Sequence, residues 1–297
     1  MSKFDAQFAG RLDGQTVLVT GSKGGIGHQT AQGIGNSGAT VLVHARRADE
    51  ARRAVDLLTT NGNGNGKYLA VAGDLGSLAG VGDLVDAVHE AAPKGLNGLV
   101  NNAGAAFSSK ALSPDGYERT IAINHVAAAA VTDGLLDLLQ KGADAFAAPS
   151  RVVNMTAVLE SRGELITDWS YPGKYKQIQA YANAKLLVLM YTYAQARHYQ
   201  DQGLTFNTVS PGAVKTTLGS KAGGPIKIIE KLTNPFVGPP EKGSRGCVRL
   251  MADPELATAT GGYYSSAKLK KSSKKSHDAE GQERIYAQTE RELRAHS

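Results

Sequence analysis

The segment Thr20-Gly21-Ser22-Lys23-Gly24-Gly25-Ile26-Gly27 limits the possible folds more than any other part of the chain. It follows directly on the apolar run Thr16-Val17-Leu18-Val19 and leads into a stretch with the length of a single helix. With so little side chain, the backbone can turn tightly from strand to helix, and a ligand can approach the peptide groups. The free N–H groups at the start of such a helix attract phosphate, and a Cβ at the glycine positions would obstruct it. Glycine clusters also occur in ordinary loops. Here the position after an N-terminal strand points to a dinucleotide pyrophosphate held by Gly21, Ser22, Lys23, Gly25, Ile26 and Gly27.

The rest of the chain repeats that alternation. Thr40-Val41-Leu42-Val43, Tyr68 to Ala72, Gly98 to Asn101, Arg151 to Met155 and Leu204 to Val209 are short apolar runs suited to parallel strands buried on both faces. Helical stretches separate them, among them Ala180 to Gln200, which lacks Gly and Pro. The pattern predicts one α/β domain, a Rossmann-type doubly wound parallel sheet. Ligands of such sheets bind beyond the carboxyl ends of the strands, where the unusual sequences of this chain fall.

After the second strand, about twenty residues beyond the last glycine, an acid would grip the ribose 2′-hydroxyl of NAD. This chain has His44-Ala45-Arg46-Arg47 instead. A guanidinium suits the 2′-phosphate of NADP(H), so Arg46 is the expected contact, with Lys23 adding positive field. The competing reading pairs Arg46 and Arg47 with Asp49 or Glu50 on the surface.

Composition does not compete with this fold. At 297 residues, 41% hydrophobic and 20% charged, the chain has the proportions of one large globular domain, without a linker or an apolar run of membrane-spanning length. Its polar start, Met1 to Gln7, lacks the apolar stretch of a secretory signal, so a cytoplasmic protein is expected. Much of the net charge of +6 comes from Lys268, Lys270, Lys271, Lys274 and Lys275, read as a solvated loop rather than a nucleic-acid or lipid patch. Asn61 to Gly66 reads as a flexible loop. Cys247, the single cysteine, has no neighbouring ligand residues and reads as structural, and no metal is expected.

Tyr181 and Lys185 stand four positions apart, on one face of the long helix. A nearby ammonium and the positive nicotinamide ring of an oxidised cofactor favour tyrosinate and predict a lowered tyrosine pKa, which suits proton transfer; singly, either residue is an ordinary helix-surface residue. Thr20-Gly21-x-x-x-Gly25-Ile26-Gly27, Asn101-Asn102-Ala103-Gly104, Asn124, Tyr181-x-x-x-Lys185 and Pro211-Gly212 together resemble the short-chain dehydrogenase/reductase family in order and spacing. Asn124-His125, Pro254-Glu255-Leu256 and Gly262-Tyr263-Tyr264 resemble its retinol dehydrogenase and protochlorophyllide reductase branch.

The resemblance covers almost the whole chain. It implies an N-terminal arm over 1–10, one domain over 11–297, and a final helix over about 280–294 near the substrate entrance. It also implies an oxidoreductase that interconverts a carbonyl and an alcohol. Tyr181 is then the acid/base, Lys185 its electrostatic partner and ribose ligand, and Asn124 the organiser of a relay water. Asp74 and Leu75 lie against adenine, Asn102, Ala103 and Gly104 beside ribose, and Pro211, Gly212, Val214 and Thr216 around the nicotinamide carboxamide. Taken alone, Asp74 reads equally as a helix cap. Many members self-associate through the helices around Asn124 and Tyr181, and monomers occur in the closest branch, so a homo-oligomer is one implied outcome.

One family residue is replaced. The catalytic serine aligns with Ala157, and loss of such a hydrogen-bond donor costs about 3 to 4 kcal/mol in the transition state. Thr156 is the expected substitute, provided the strand end bends to turn it toward the pocket. Ile226, Ile228, Ile229, Leu232 and Phe236 read either as a lid over about 218–240 or as a helix packed on its own domain; the lid reading, with pocket walls from Trp169 and Tyr171 and the family branch, implies a lipophilic or aromatic small-molecule substrate. The alternative is an NADP(H)-binding sensor or scaffold weakened at Ala157.

Overall fold

The computed structural model describes residues 3–62, 65–212 and 238–296. A short helix α1 (Lys3–Ala6) precedes β1 (Thr16–Val19), α2 (Gly25–Asn36), β2 (Thr40–Ala45), α3 (Ala48–Asn61), β3 (Lys67–Ala72), α4 (Leu78–Ala91) and β4 (Gly98–Asn101). A bent helix follows, made of α5 (Arg119–Ile121), a π-helical turn (Ala122–Val126) and α6 (Ala127–Asp133). Then come α7 (Leu136–Phe146), β5 (Ser150–Met155), a 3₁₀ turn (Val158–Arg162), α8 (Gln177–His198) and β6 (Leu204–Ser210). The order closes with α9 (Pro240–Ala252), β7 (Tyr263–Ser265), β8 (Lys268–Lys270), a 3₁₀ turn (Lys274–His277) and α10 (Ala279–Arg294).

The eight strands form one sheet in the order β3-β2-β1-β4-β5-β6-β7-β8. All pairs are parallel except β7–β8. The apolar runs are continuous because neighbouring residues enter different cores. Val17, Val19, Val41, Val43, Val100 and Val153 pack with α2 and α9, whereas Leu18, Leu42, Leu99 and Val152 pack with α4 and α6. The sheet order reverses beside β1, which places the crevice at the carboxyl ends of β1 and β4.

A third core lies under α10, where Tyr117, Ile121, Val126, Trp169, Leu187, Tyr191, Ile285 and Leu293 meet. As a result α8 is buried along nearly all its length. Phe8, within the stretch expected as an arm, is also buried in a core. No single helix among the described residues is long and apolar enough to cross a membrane. One consecutive pair, Arg119–Asp133 with Leu136–Phe146, reaches that composition jointly but is bent by 55°.

The five lysines are solvent-exposed, as expected, but they do not all lie in a loop. Lys268 and Lys270 lie on the edge strand β8, and Lys274 and Lys275 lie in an ordered turn whose Ser273 donates to the buried Glu160. Lysine on an edge strand discourages pairing with a second sheet, and the cross-strand partners Tyr263, Tyr264 and Ser265 supply the order that composition hides.

Candidate active site

At the carboxyl end of β1 the chain turns through Gly21 (φ 64°) and Gly25 (φ 59°), in the left-handed region that glycine enters without strain. A Cβ on Gly27 would collide with the Asn102 amide and the Gly21 carbonyl, and one on Gly24 would project into open space. Helix α2 begins here with no side-chain cap and no acidic residue in its first turn, so its leading N–H groups stay free. By contrast, α4 is capped by Ser77, which accepts from Gly80 N at 3.2 Å.

The turn is fixed from both sides. Thr20 Oγ1 accepts from the N–H groups of Asn102 and Ala103, each at 3.0 Å, and Asn102 Nδ2 donates to Thr20 O at 2.8 Å. Buried His44 accepts from Gly21 N at Nδ1 and donates from Nε2 to Gly73 O, both at 2.9 Å. Burial lowers its pKa, and the neutral ring these two bonds require is the favoured form. Ser22 is wholly buried, and its hydroxyl donates to Val19 O, so it supports the loop from behind.

The charges behind the loop sort themselves. Lys23 pairs with Glu50 at 2.7 Å, and Arg47 with Asp49 at 3.1 Å and Glu50 at 3.5 Å. Arg46 is exposed and forms no ion pair among the described residues. The surface-pair reading therefore describes Arg47 and not Arg46, while Glu50 offsets the field expected from Lys23. Asp74 is exposed and accepts from Gly76 N, the helix cap falling to Ser77, and Leu75 is buried.

The reaction end is assembled from side chains. The π-helical turn carries Asn124, whose Nδ2 donates to Ala105 O at 2.6 Å and Thr120 O at 2.7 Å. Its Oδ1 is buried and unpartnered, and it lies where a Cβ on Gly104 would stand. Lys185 Nζ borders the same Gly104 position, lies 5.7 Å from the Tyr181 ring centroid and donates to Met155 O at 2.8 Å. Asn124, Tyr181 and Lys185 thus converge beside Gly104.

Burial pushes the Tyr181 hydroxyl above its ordinary pKa and the Lys185 ammonium down to about 7. With the lysine alone beside it the tyrosine is raised, so the lowering expected would have to come from the nicotinamide charge. Both groups are desolvated, which penalises either charge, and the lysine is spent first on the Met155 carbonyl.

Thr156 is buried, and its hydroxyl donates to Lys185 O at 3.0 Å, so its proton is not offered to the cleft. Ala157 stands half-exposed at the start of the 3₁₀ turn, followed by exposed Val158. Trp169 is buried, packed between Tyr117 and His125, and borders a surface cavity together with Asp168 and Gln288, while Tyr171 is half-buried against Tyr175. Pro211 and Gly212 follow β6; Val214, Thr216 and the lid residues 218–237 lie outside the described residues.

Sequence reasoning missed His44, Glu118 and His125 as supports. Glu118 caps the Asn124 helix, accepting from Thr120 N and Ile121 N, and its own N–H donates to Trp169 O at 2.7 Å. A histidine inside an otherwise apolar strand was the available signal for His44.

The sequence pattern of the short chain dehydrogenases matches residues 15–224, and the chain belongs to this family of oxidoreductases. It is 28% identical to retinol dehydrogenase 13 from Homo sapiens over 94% of this chain and 85% of that protein. It is 27% identical to the chloroplastic short-chain dehydrogenase TIC 32 B from Brassica napus, over 86% and 81%. RhlG of Pseudomonas aeruginosa, in an active-site complex with NADP, superposes with a TM-score of 0.69 at 25% identity, over 89% of this chain and 97% of that one.

Proposed function

We propose that this chain is an NADP(H)-dependent carbonyl reductase or alcohol dehydrogenase acting on a lipophilic or aromatic substrate. The convergence of Tyr181, Lys185 and Asn124 beside Gly104, at the open end of the glycine cradle, carries this reading. The cradle fits a dinucleotide: a Cβ on Gly24 would project into it, the N–H groups of α2 are uncapped, and Asn124 presents an orphaned buried oxygen. Unpaired Arg46 favours a 2′-phosphate, as does the NADP bound by RhlG. The retinol named for the human relative and the exposed Val158 beside Ala157 favour an apolar substrate.

The nicotinamide supplies or accepts the hydride when bound. Gly21, Lys23, Gly25, Ile26 and Gly27 would hold the pyrophosphate, with Ser22 bracing their loop from behind, Asp74 and Leu75 would hold the adenine, and Asn102, Ala103 and Gly104 the adjacent ribose. Tyr181 gives its phenolic proton to the carbonyl oxygen in reduction and takes it back in oxidation. Lys185, in its protonated form, stabilises the tyrosinate left behind, while burial pushes its ammonium pKa down. Asn124 Oδ1 offers an acceptor to a relay water. Among the described residues no hydroxyl replaces the one absent at Ala157, which predicts a slow enzyme.

The test is NADPH oxidation across a carbonyl panel by the parent and by Ala157→Ser. Turnover of lipophilic ketones or aldehydes, rising roughly 100-fold in Ala157→Ser, is expected. NADPH binding without turnover in both proteins favours a sensor, and turnover confined to small charged metabolites defeats the substrate assignment.

A further inference from the structure

The π-helical turn that carries Asn124 is wound more widely than the helix on either side, and such a turn persists only where its surroundings hold it. The local supports are Nδ2 of Asn124 itself and the cap from Glu118. A further support comes from far along the chain. His125, the next residue, is buried edge-on between Trp169, at 5.0 Å and 86°, and Tyr191, at 5.5 Å and 89°.

His125 Nε2 lies 3.0 Å from Thr289 Oγ1 on α10. Thr289 is fully buried, and its hydroxyl proton is donated to Ile285 O at 2.8 Å. That oxygen therefore has only lone pairs left to offer, so the imidazole carries its proton on Nε2 and donates. Full burial, which holds the ring pKa down to about 3, keeps it neutral with one N–H. One tautomer and one ring orientation are thus selected by a helix 164 residues away.

We propose that Thr289 is a positioning residue for the reaction: through His125 it fixes the π-helical turn so that Asn124 Oδ1 stays directed at Gly104 and Lys185. The proposal rests on the assignment of Asn124 to the reaction. It gives α10 a role distinct from covering a core, because the helix keeps other attachments when Thr289 is changed. Tyr117 Oη donates to Glu292 at 3.1 Å, Tyr191 Oη to Glu290 at 3.1 Å, and Gln288 Nε2 to Thr167 O at 2.7 Å. Thr289→Val keeps the side-chain shape and removes the acceptor, and Thr289→Ser keeps the acceptor.

The full chain is compared as parent, Thr289→Val and Thr289→Ser, in the native and Asn124→Ala backgrounds. In Thr289→Val, kcat falls about tenfold while the NADPH Kd stays within about twofold, and Thr289→Ser restores kcat. Ring ¹⁵N spectra show the Nε2–H tautomer of His125 in parent and Ser forms and a mixture in the Val form, with the Asn124 side-chain amide shifting only in the latter. Thr289→Val costs nothing further in the Asn124→Ala background. Unchanged kcat with a lowered Tm, parallel losses of kcat and NADPH affinity, or losses that multiply with Asn124→Ala each overturn the proposal. If Asn124→Ala alone leaves kcat intact, the assignment of Asn124 fails and this inference fails with it.

Discussion

The nucleotide end of the cleft is built from backbone, whereas the reaction end is built from side chains drawn from distant elements. At the first, Gly21, Gly25 and the uncapped start of α2 present peptide groups, and Thr20, His44 and Asn102 brace them from the neighbouring strands β1, β2 and β4 or the residues just beyond them. At the second, Asn124, Tyr181 and Lys185 meet only after α5, α6 and α8 have packed, and α10 completes the support through Thr289. A backbone site tolerates most side-chain changes outside its glycines, while a side-chain site is lost when one atom moves or disappears.

The sharpest way to test that contrast is Tyr181→Phe. It removes one hydroxyl and leaves the cradle intact, so kcat should fall by about 100-fold to 10,000-fold while NADPH binding, followed by fluorescence titration, stays unchanged. A parallel loss of binding would break the division between the two ends. Arg46→Asp tests the other end. NADPH affinity should drop by roughly 10- to 100-fold while NADH affinity changes little, because only the former offers a 2′-phosphate to a charged donor. Equal losses for both cofactors would remove Arg46 from the site.

Acid addresses both ends at once. His44 and His125 each have a folded pKa below the ordinary value of about 6.5, so the unfolded chain binds their protons more readily. Their stabilising contribution is complete above that value and is lost as pH falls below it, at up to about 1.4 kcal/mol per pH unit for each ring. Urea melts between pH 7 and pH 5 should show this fall. His89, raised by its contacts with Val85 and Asp137, titrates in the opposite sense but is largely exposed. A flat profile would mean that neither ring is held neutral by the fold.

The same contrast explains what could be read from the amino acids. The cradle is written in consecutive residues, Thr20 to Gly27, because turn conformation is a local property; the six main parallel strands and α8 follow from equally local periodicity. Tyr181 and Lys185 share a helix face by spacing alone. The desolvation that shifts both groups depends on what packs above them, and no spacing encodes that. Thr156 looked available because it neighbours Ala157, yet β5 continues far enough to turn its hydroxyl onto α8. Lysines dominate the composition of 268–275 and conceal a strand whose existence depends on β7.

Helix α8 is buried on nearly every side, and one of its covers, α10, is synthesised well after it. A growing chain on the ribosome therefore carries Leu187, Tyr191 and their neighbours without that cover for an interval set by translation speed. During it the sheet can form while a sticky apolar face persists, a period when chaperones have most to protect and when a chain stopped short of α10 is most prone to aggregate.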